Sequence, residues 1–76
     1  MSAPVKRSVT IRGHRTSLSL EPQFWDELKR VADIRGISLA SLITEVDAAR
    51  GSEPNSNLSS ALRVFVLDWL KRESHS

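Results

Sequence analysis

The chain of 76 residues contains no cysteine. Because disulfides and thiolate metal ligands both require cysteine, a disulfide framework and a cysteine-based zinc site are excluded. A chain of this length buries only a modest hydrophobic core, and no covalent cross-link reinforces it. A second subunit is the simplest remedy for a small core, so we expect a homodimer.

Long apolar segments are also lacking. No run approaches the ~20 apolar residues that a membrane-spanning helix needs. The first seven residues, MSAPVKR, do not contain the apolar region of a signal peptide. We therefore expect a soluble, cytoplasmic protein that does not bind a membrane.

Groups suited to catalysis are scarce. The chain has two histidines, His14 and His75, and it has neither a carboxylate pair nor a glycine-rich phosphate loop. A catalytic triad would need a pocket that one chain of this size is too small to build. A lone histidine beside an arginine is more typical of a hydrogen-bonding or phosphate-facing residue than of a metal ligand. The sequence predicts a protein that is not an enzyme and that binds no cofactor or metal.

Acidic residues are absent from the first 20 positions. The same segment contains Lys6, Arg7, Arg12 and Arg15, although the whole chain has a net charge of only +2. A basic, extended segment on a nearly neutral body suggests an anionic partner, most often nucleic acid. A disordered, solvated basic arm is the alternative interpretation.

Residues 16–20 alternate between core-compatible and polar side chains, which predicts a short, half-buried strand. The outer face of this strand presents Arg15, Ser17 and Ser19. These side chains can donate and accept hydrogen bonds at the edges of bases without steric bulk. Each is unremarkable alone, but the three together on one face favour base recognition.

An earlier alternation runs through residues 5–11. Its apolar residues stand at odd-numbered positions, whereas the core-compatible residues of 16–20 stand at even-numbered positions. One extra residue must be absorbed between the two patterns, and Gly13 is suited to a bulge or bend there. Residues 7–12 form either a second strand or an arm that becomes ordered on binding. We treat residues 1–12 as a basic arm, partly disordered or extended.

Two amphipathic helices are predicted next, at 21–35 and 39–49. Pro22 fits the first turn of the earlier helix, and Gly36 fits its end. Ser38 is expected to cap the later helix. The same free amides at that helix start would also bind a phosphate well. Residues 13–49 thus form the predicted core unit.

A third helix is predicted at 58–73, after a linker at 50–57 whose last residue, Asn57, is its expected cap. This helix is apolar on nearly every side, so a single amphipathic contact does not account for it. Burial at a subunit interface would account for it.

The strand, the pattern LxxxFWxxL and the later segment RGISLASLI together resemble the ribbon-helix-helix superfamily of the Met repressor, Arc and CopG type. More narrowly, GHRTSLSLE with FW, and NLSSALR with FVL, are similar to a ribbon-helix-helix subfamily of small proteins. Two departures from the common pattern are Glu21, which intervenes before Pro22, and the third helix, which the minimal fold lacks.

This resemblance implies a mainly α fold, in which one N-terminal strand pairs across a homodimer and is followed by two helices and a third, C-terminal helix. The ribbon of two strands would enter the major groove of double-stranded DNA. Base contacts are implied for Arg15, Ser17 and Ser19. We expect phosphate contacts from Lys6, Arg7, Arg12 and His14 and from the backbone amides of Ser38 and Leu39. The expected dimer core contains Leu18, Leu20, Phe24, Leu28, Leu42, Ile43, Phe65 and Trp69.

The expected function is sequence-specific DNA binding as a transcriptional repressor. The alternative is an antitoxin-like or adaptor dimer that docks a second protein through its C-terminal helix and binds little DNA itself. Arg15 is the only long side chain on the predicted reading face, which keeps this alternative open. Salt separates the two, since phosphate-dominated binding weakens steeply as salt rises and apolar docking does not.

Overall fold

The computed structural model describes residues 2–49 and 58–74. Its elements run in the order β1 (Val5–Ile11), β2 (His14–Leu20), α1 (Pro22–Arg35), α2 (Leu39–Ala49) and α3 (Leu58–Ser74). Each helix begins and ends within one residue of the range expected from sequence. The predicted linker at 50–57, with the predicted cap at Asn57, lies outside the described residues.

A two-residue turn joins β1 to β2. Arg12 and Gly13 form this turn with positive φ angles of 52° and 79°. Two consecutive positive φ angles are characteristic of a type I′ turn, whose twist matches that of the strands it connects. Glycine adopts such an angle without steric cost. The change of phase between the two alternating patterns is therefore accommodated by a hairpin turn rather than by a bulge.

The hairpin differs from the expected single strand that pairs with its copy in a second chain. β1 and β2 are antiparallel, and the register runs from Val5 opposite Leu20 to Ile11 opposite His14. The physical reason is the turn, which folds β1 back along β2 with the apolar residues of both strands on the same side. β2 thus has a partner strand within its own chain, and pairing between chains stays a prediction.

The apolar side of the hairpin packs on the three helices to form one core. Of the residues expected in a dimer core, Leu18, Leu20, Leu28, Leu42 and Ile43 are buried within the single chain, and Phe24, Phe65 and Trp69 pack against them partly buried. Trp25, Leu62 and Val66 are buried as well, although the list expected from sequence omits them. These apolar side chains therefore stabilise the fold of the single chain, and their contribution to a dimer interface stays a prediction.

Trp25 fastens α1 to the first strand. Its side chain is 1% exposed, and its indole Nε1 donates a hydrogen bond to the carbonyl oxygen of Val5 over 3.1 Å. The guanidinium of Arg7 lies 5.4 Å from the centre of the indole ring, within range of a cation–π interaction. The start of β1 is thus held by α1 as well as by β2.

Gly36 ends α1 and turns the chain towards α2. It adopts the left-handed conformation, with a φ of 69°. The N–H of Ile37 donates to the carbonyl oxygen of Ala32 over 3.0 Å, which is the long hydrogen bond of a Schellman motif. The helix stop expected at Gly36 is confirmed by this geometry.

We expect Leu18→Asp to unfold the protein. Leu18 is 4% exposed, and an ionised carboxylate buried without a partner costs several kcal/mol, comparable with the whole stability of a small domain. Ser17→Asp is the matched control, because Ser17 lies on the exposed side of the same strand. Circular dichroism with thermal melting measures both. A folded Leu18→Asp variant with an unchanged melting temperature would contradict the assigned faces of β2.

Candidate nucleic-acid interface

The outer side of the hairpin is entirely polar. Directly opposed residues of an antiparallel pair point to the same side of the sheet. The residues on the outer side form three pairs, which are Lys6 with Ser19, Ser8 with Ser17, and Thr10 with Arg15. All six are exposed. We call these six residues the polar ribbon face.

The three residues predicted to contact bases all lie on the polar ribbon face. Arg15, Ser17 and Ser19 alternate along β2 with the buried residues Leu18 and Leu20. Their exposure follows from this packing, because the apolar neighbours fix which side of the strand points inwards. The structure therefore brings these three side chains together as expected, and base contact itself remains a proposal.

The other half of the polar ribbon face comes from β1, for which no base contact was predicted from sequence. Lys6, Ser8 and Thr10 add one ammonium and two hydroxyl groups. From sequence, residues 7–12 could be either a second strand or an arm that becomes ordered on binding, so their register with β2 was undefined. The signal available in the sequence was the alternation of residues 5–11, together with the glycine that closes the turn.

The four side chains predicted to contact phosphates do not form one group. Lys6 lies on the polar ribbon face, whereas Arg7 lies on the opposite side of β1 with its guanidinium over Trp25. Arg12 lies in the turn, and His14 follows it at the start of β2. Of the four, only Arg12 and His14 are therefore grouped, at the tip of the hairpin.

A cleft of about 280 Å³ lies beside the tip of the hairpin. It is lined by residues of the hairpin, of α2 and of α3, which are Ile11, Arg12, His14, Thr16, Asp47 and Leu58. The carboxylate of Asp47 lowers the positive potential that Arg12 supplies there. The cleft is for this reason a poorer anion site than its two basic residues suggest.

The start of α2 offers backbone donors. The hydroxyl oxygen of Ser38 accepts a hydrogen bond from the N–H of Ser41 over 3.0 Å, so the predicted cap is confirmed. The amides of the first turn have no acceptor within the helix, and those of Leu39 and Ala40 are left for an outside acceptor. Together with the helix dipole, such amides suit a phosphate oxygen.

Glu21 ties the junction between the ribbon and α1 to α3. Nε of Arg63 donates to Oε1 of Glu21 over 3.0 Å, and the same guanidinium lies 5.8 Å from the ring centre of Phe24. The pKa of Glu21 lies below its ordinary value of 4.5, first because of a hydrogen bond from its own backbone amide and then because of the bond from Arg63. Glu21, which intervenes before Pro22, is thus paired with a residue of the third helix.

A second ion pair holds the far end of α3. Nη2 of Arg30 lies 2.7 Å from Oε1 of Glu73, and Nε of Arg30 lies 2.7 Å from Oε2 of Glu27. These bonds raise the pKa of Arg30, mainly through Glu73. The bond from Arg30 also lowers the pKa of Glu73. α3 is therefore attached by ion pairs near both of its ends.

The described residues contain no cluster of three or more histidine, aspartate or glutamate side chains placed to hold a metal ion. None of the three helices, over their described lengths, combines the length and apolar character required to cross a membrane. The candidate site is thus a protein surface, formed by the polar ribbon face and the start of α2.

The chain belongs to the ribbon-helix-helix domain family. A family model described as "Ribbon-helix-helix domain" matches residues 4–70, a range that includes both strands and most of α3. No curated protein and no solved structure matches the chain significantly. Members of the family are generally DNA-binding transcription regulators or antitoxins, and their domains typically form homodimers that bind DNA.

We expect Arg63→Ala to raise the pKa of Glu21. Because the folded pKa of Glu21 is depressed, its contribution to stability is present above the unfolded pKa and is lost as pH falls through the folded pKa. Without Arg63, the titration moves up towards 4.5 and this pH dependence shrinks. Carboxyl ¹³C NMR titration measures the shift. Arg30→Ala is the control, and it should move the titration of Glu73 while leaving that of Glu21 in place; an unmoved Glu21 in Arg63→Ala would contradict the assigned pair.

Proposed function

We propose that this protein is a cytoplasmic, homodimeric transcriptional repressor that binds specific sequences of double-stranded DNA by inserting the polar ribbon face into the major groove. One observation carries this proposal. The hairpin has a wholly polar, exposed side and an apolar side buried on the helices. The exposed side places one ammonium, one guanidinium and four hydroxyl groups in register, and such groups can donate to and accept from base edges.

The dimensions of the hairpin fit the groove. A two-stranded ribbon has its strands about 4.8 Å apart, and the major groove of about 12 Å admits such a ribbon. The guanidinium of Arg15 is long enough to bond guanine O6 and N7 together, whereas Ser17 and Ser19 offer single hydroxyl contacts to any base. Arg15 therefore supplies most of the discrimination among these three residues.

Contacts to phosphates would fix the position of the ribbon on the duplex. We propose Arg12, in the turn of the hairpin, and the amides at Ser38 and Leu39 for this role.

His14 lies opposite Ile11 on the packed side of the hairpin and lines the cleft with Asp47, which makes it a poorer candidate for such a contact. Arg7 packs against Trp25 on the side of the hairpin opposite the polar ribbon face, so the structure does not favour it as a phosphate contact.

A homodimer is supported by apolar surface on α3. Val64 and Leu67 are 56% and 51% exposed, and Leu70 is exposed as well. Within the described segments the sheet has only β1 and β2, so a second copy of β2 could add along the edge that β1 does not use. A twofold axis between two chains would favour an inverted repeat in the DNA.

The same apolar side chains support a second candidate function. Val64, Leu67 and Leu70 would also suit a protein partner, as expected for an antitoxin or an adaptor dimer. Binding through this surface would change little with salt. Binding of DNA through phosphates would weaken with a log–log slope near −0.9 for each phosphate neutralised.

We expect Arg15→Ala to lower affinity for a selected DNA site by about 1–3 kcal/mol and to relax the preference at one base position. Random DNA should lose less. Arg12→Ala is the comparison, because loss of a phosphate contact weakens binding to all sequences evenly and flattens the salt dependence. Fluorescence anisotropy over a salt series, on selected and random duplexes, measures both variants. Equal losses on both duplexes for Arg15→Ala would show a phosphate contact and remove the proposed base readout at this position.

We expect Leu39→Pro to weaken binding to all DNA sequences alike, because proline removes one N–H at a helix position that tolerates it. The side chain of Leu39 packs on the core, so the substitution also loses packing. Leu39→Ala is the matched control, since it loses the same packing and keeps the N–H. If the two variants bind DNA equally well once both are shown to be folded, the amide of Leu39 holds no phosphate.

A further inference from the structure

The cleft beside the tip of the hairpin has an apolar part that the proposed function does not use. We call this cleft, with the six residues that line it, the tip cleft. Two of its lining side chains, Ile11 and Leu58, are apolar and only 7% and 9% exposed. Arg12 and Asp47 add a guanidinium and a carboxylate to the same cleft. Apolar walls with a few polar groups are typical of a site for a small molecule.

The backbone of Arg12 points to the same place. Among the described residues, Arg12 is the only one other than glycine with a positive φ, at 52°. Asparagine or glycine would form this turn at a lower cost, because both tolerate the left-handed region better than arginine does. A residue held in an unfavourable conformation motivates a search for its function. The function to look for here is one that needs the guanidinium.

The charges of the tip cleft suit a ligand that carries both signs. The guanidinium of Arg12 only donates hydrogen bonds, so it suits a carboxylate, and the carboxylate of Asp47 only accepts them, so it suits an ammonium. A simple anion would be repelled by Asp47, and a simple cation by Arg12. A carboxylate has about four lone-pair sites, so Asp47 can accept from a ligand in addition to the interaction that it makes within the chain.

The volume of the tip cleft limits the size of the ligand. At about 30 Å³ for each molecule of liquid water, a cleft of about 280 Å³ holds about nine waters. This volume corresponds to a ligand of roughly that number of non-hydrogen atoms, which is the size of leucine. A free aliphatic α-amino acid combines this size with one carboxylate, one ammonium and an apolar side chain. It therefore matches the charges and the apolar walls together.

We propose that the tip cleft binds a free α-amino acid with an aliphatic side chain, such as leucine. Arg12 binds the α-carboxylate and Asp47 binds the α-ammonium. The aliphatic side chain lies against Ile11 and Leu58. A bound ligand engages the guanidinium that is also the proposed contact to a DNA phosphate, so the ligand lowers affinity for DNA. This last consequence rests on the proposed function, whereas binding of the amino acid does not.

The test is a titration of the ¹⁵N-labelled full chain with L-leucine, without DNA, followed by amide chemical shifts. Leucine should cause saturable shifts in the residues of the tip cleft. Isocaproate lacks the ammonium, isoamylamine lacks the carboxylate, and glycine lacks the aliphatic side chain. Each should bind about tenfold more weakly than leucine, because each loses a hydrogen bond between charged groups or the burial of apolar surface. Binding of isocaproate or isoamylamine as tight as that of leucine would contradict the proposal.

Arg12→Asn separates ligand binding from folding. Because asparagine suits the turn better than arginine, the melting temperature should stay the same or rise, while affinity for leucine falls about tenfold. Asp47→Asn should weaken leucine binding by a similar factor. Asp26→Asn is the matched control, since it removes a carboxylate from an exposed position on α1 outside the tip cleft, and it should bind leucine normally. Unchanged affinity in both Arg12→Asn and Asp47→Asn would show that leucine binds elsewhere.

Failure of this proposal and failure of the proposed function give different results. If millimolar leucine causes no saturable shifts, the tip cleft is not an amino-acid site, and the proposed DNA binding stands. If the chain binds leucine but no duplex DNA, the site stands and the proposed function is wrong. Where both bind, leucine should weaken DNA binding and reduce its log–log salt slope by about 0.9, the value for one phosphate contact. DNA binding that leucine leaves unchanged would remove the predicted effect on DNA affinity.

Discussion

The register of the hairpin is the constraint on which the rest of the structure depends. Arg12 and Gly13 form the turn, and this fixes which residues of β1 lie opposite which residues of β2. A slip of one residue would exchange the two sides of a strand. Burial of Leu18 and Leu20 resists such a slip, as does the hydrogen bond from Trp25 to the start of β1. The polar ribbon face exists because these contacts hold both strands in one register.

α3 has two roles in this arrangement. Arg63 binds Glu21 where the ribbon joins α1, and Leu62 and Val66 complete the core beneath the hairpin. The third helix is therefore part of the support of the ribbon. Its remaining apolar side chains, such as Leu67, are exposed on the single chain, and the proposed homodimer or a protein partner would bury them.

Local signals predicted most of the helical structure but not the pairing of the strands. Capping residues such as Gly36 and Ser38 act over a few residues, so the helix ends can be read from sequence. Alternation shows which side of β2 is buried, but not which strand lies beside it. Lys6 and Arg7 point to opposite sides of β1, and the side to which each points can be assigned only once β1 is paired with β2. The bond between Glu21 and Arg63 joins positions too distant for any local pattern to reveal.

The most direct test of the account is the set of intermolecular nuclear Overhauser effects between the isotopically labelled protein and its selected duplex. The central claim is that the polar ribbon face lies in the major groove. It predicts contacts from Arg15 and Ser17 to cytosine H5 protons and thymine methyl groups, which line that groove, and none from the buried side of the hairpin. Contacts confined to α3, or to adenine H2 protons in the minor groove, would contradict it.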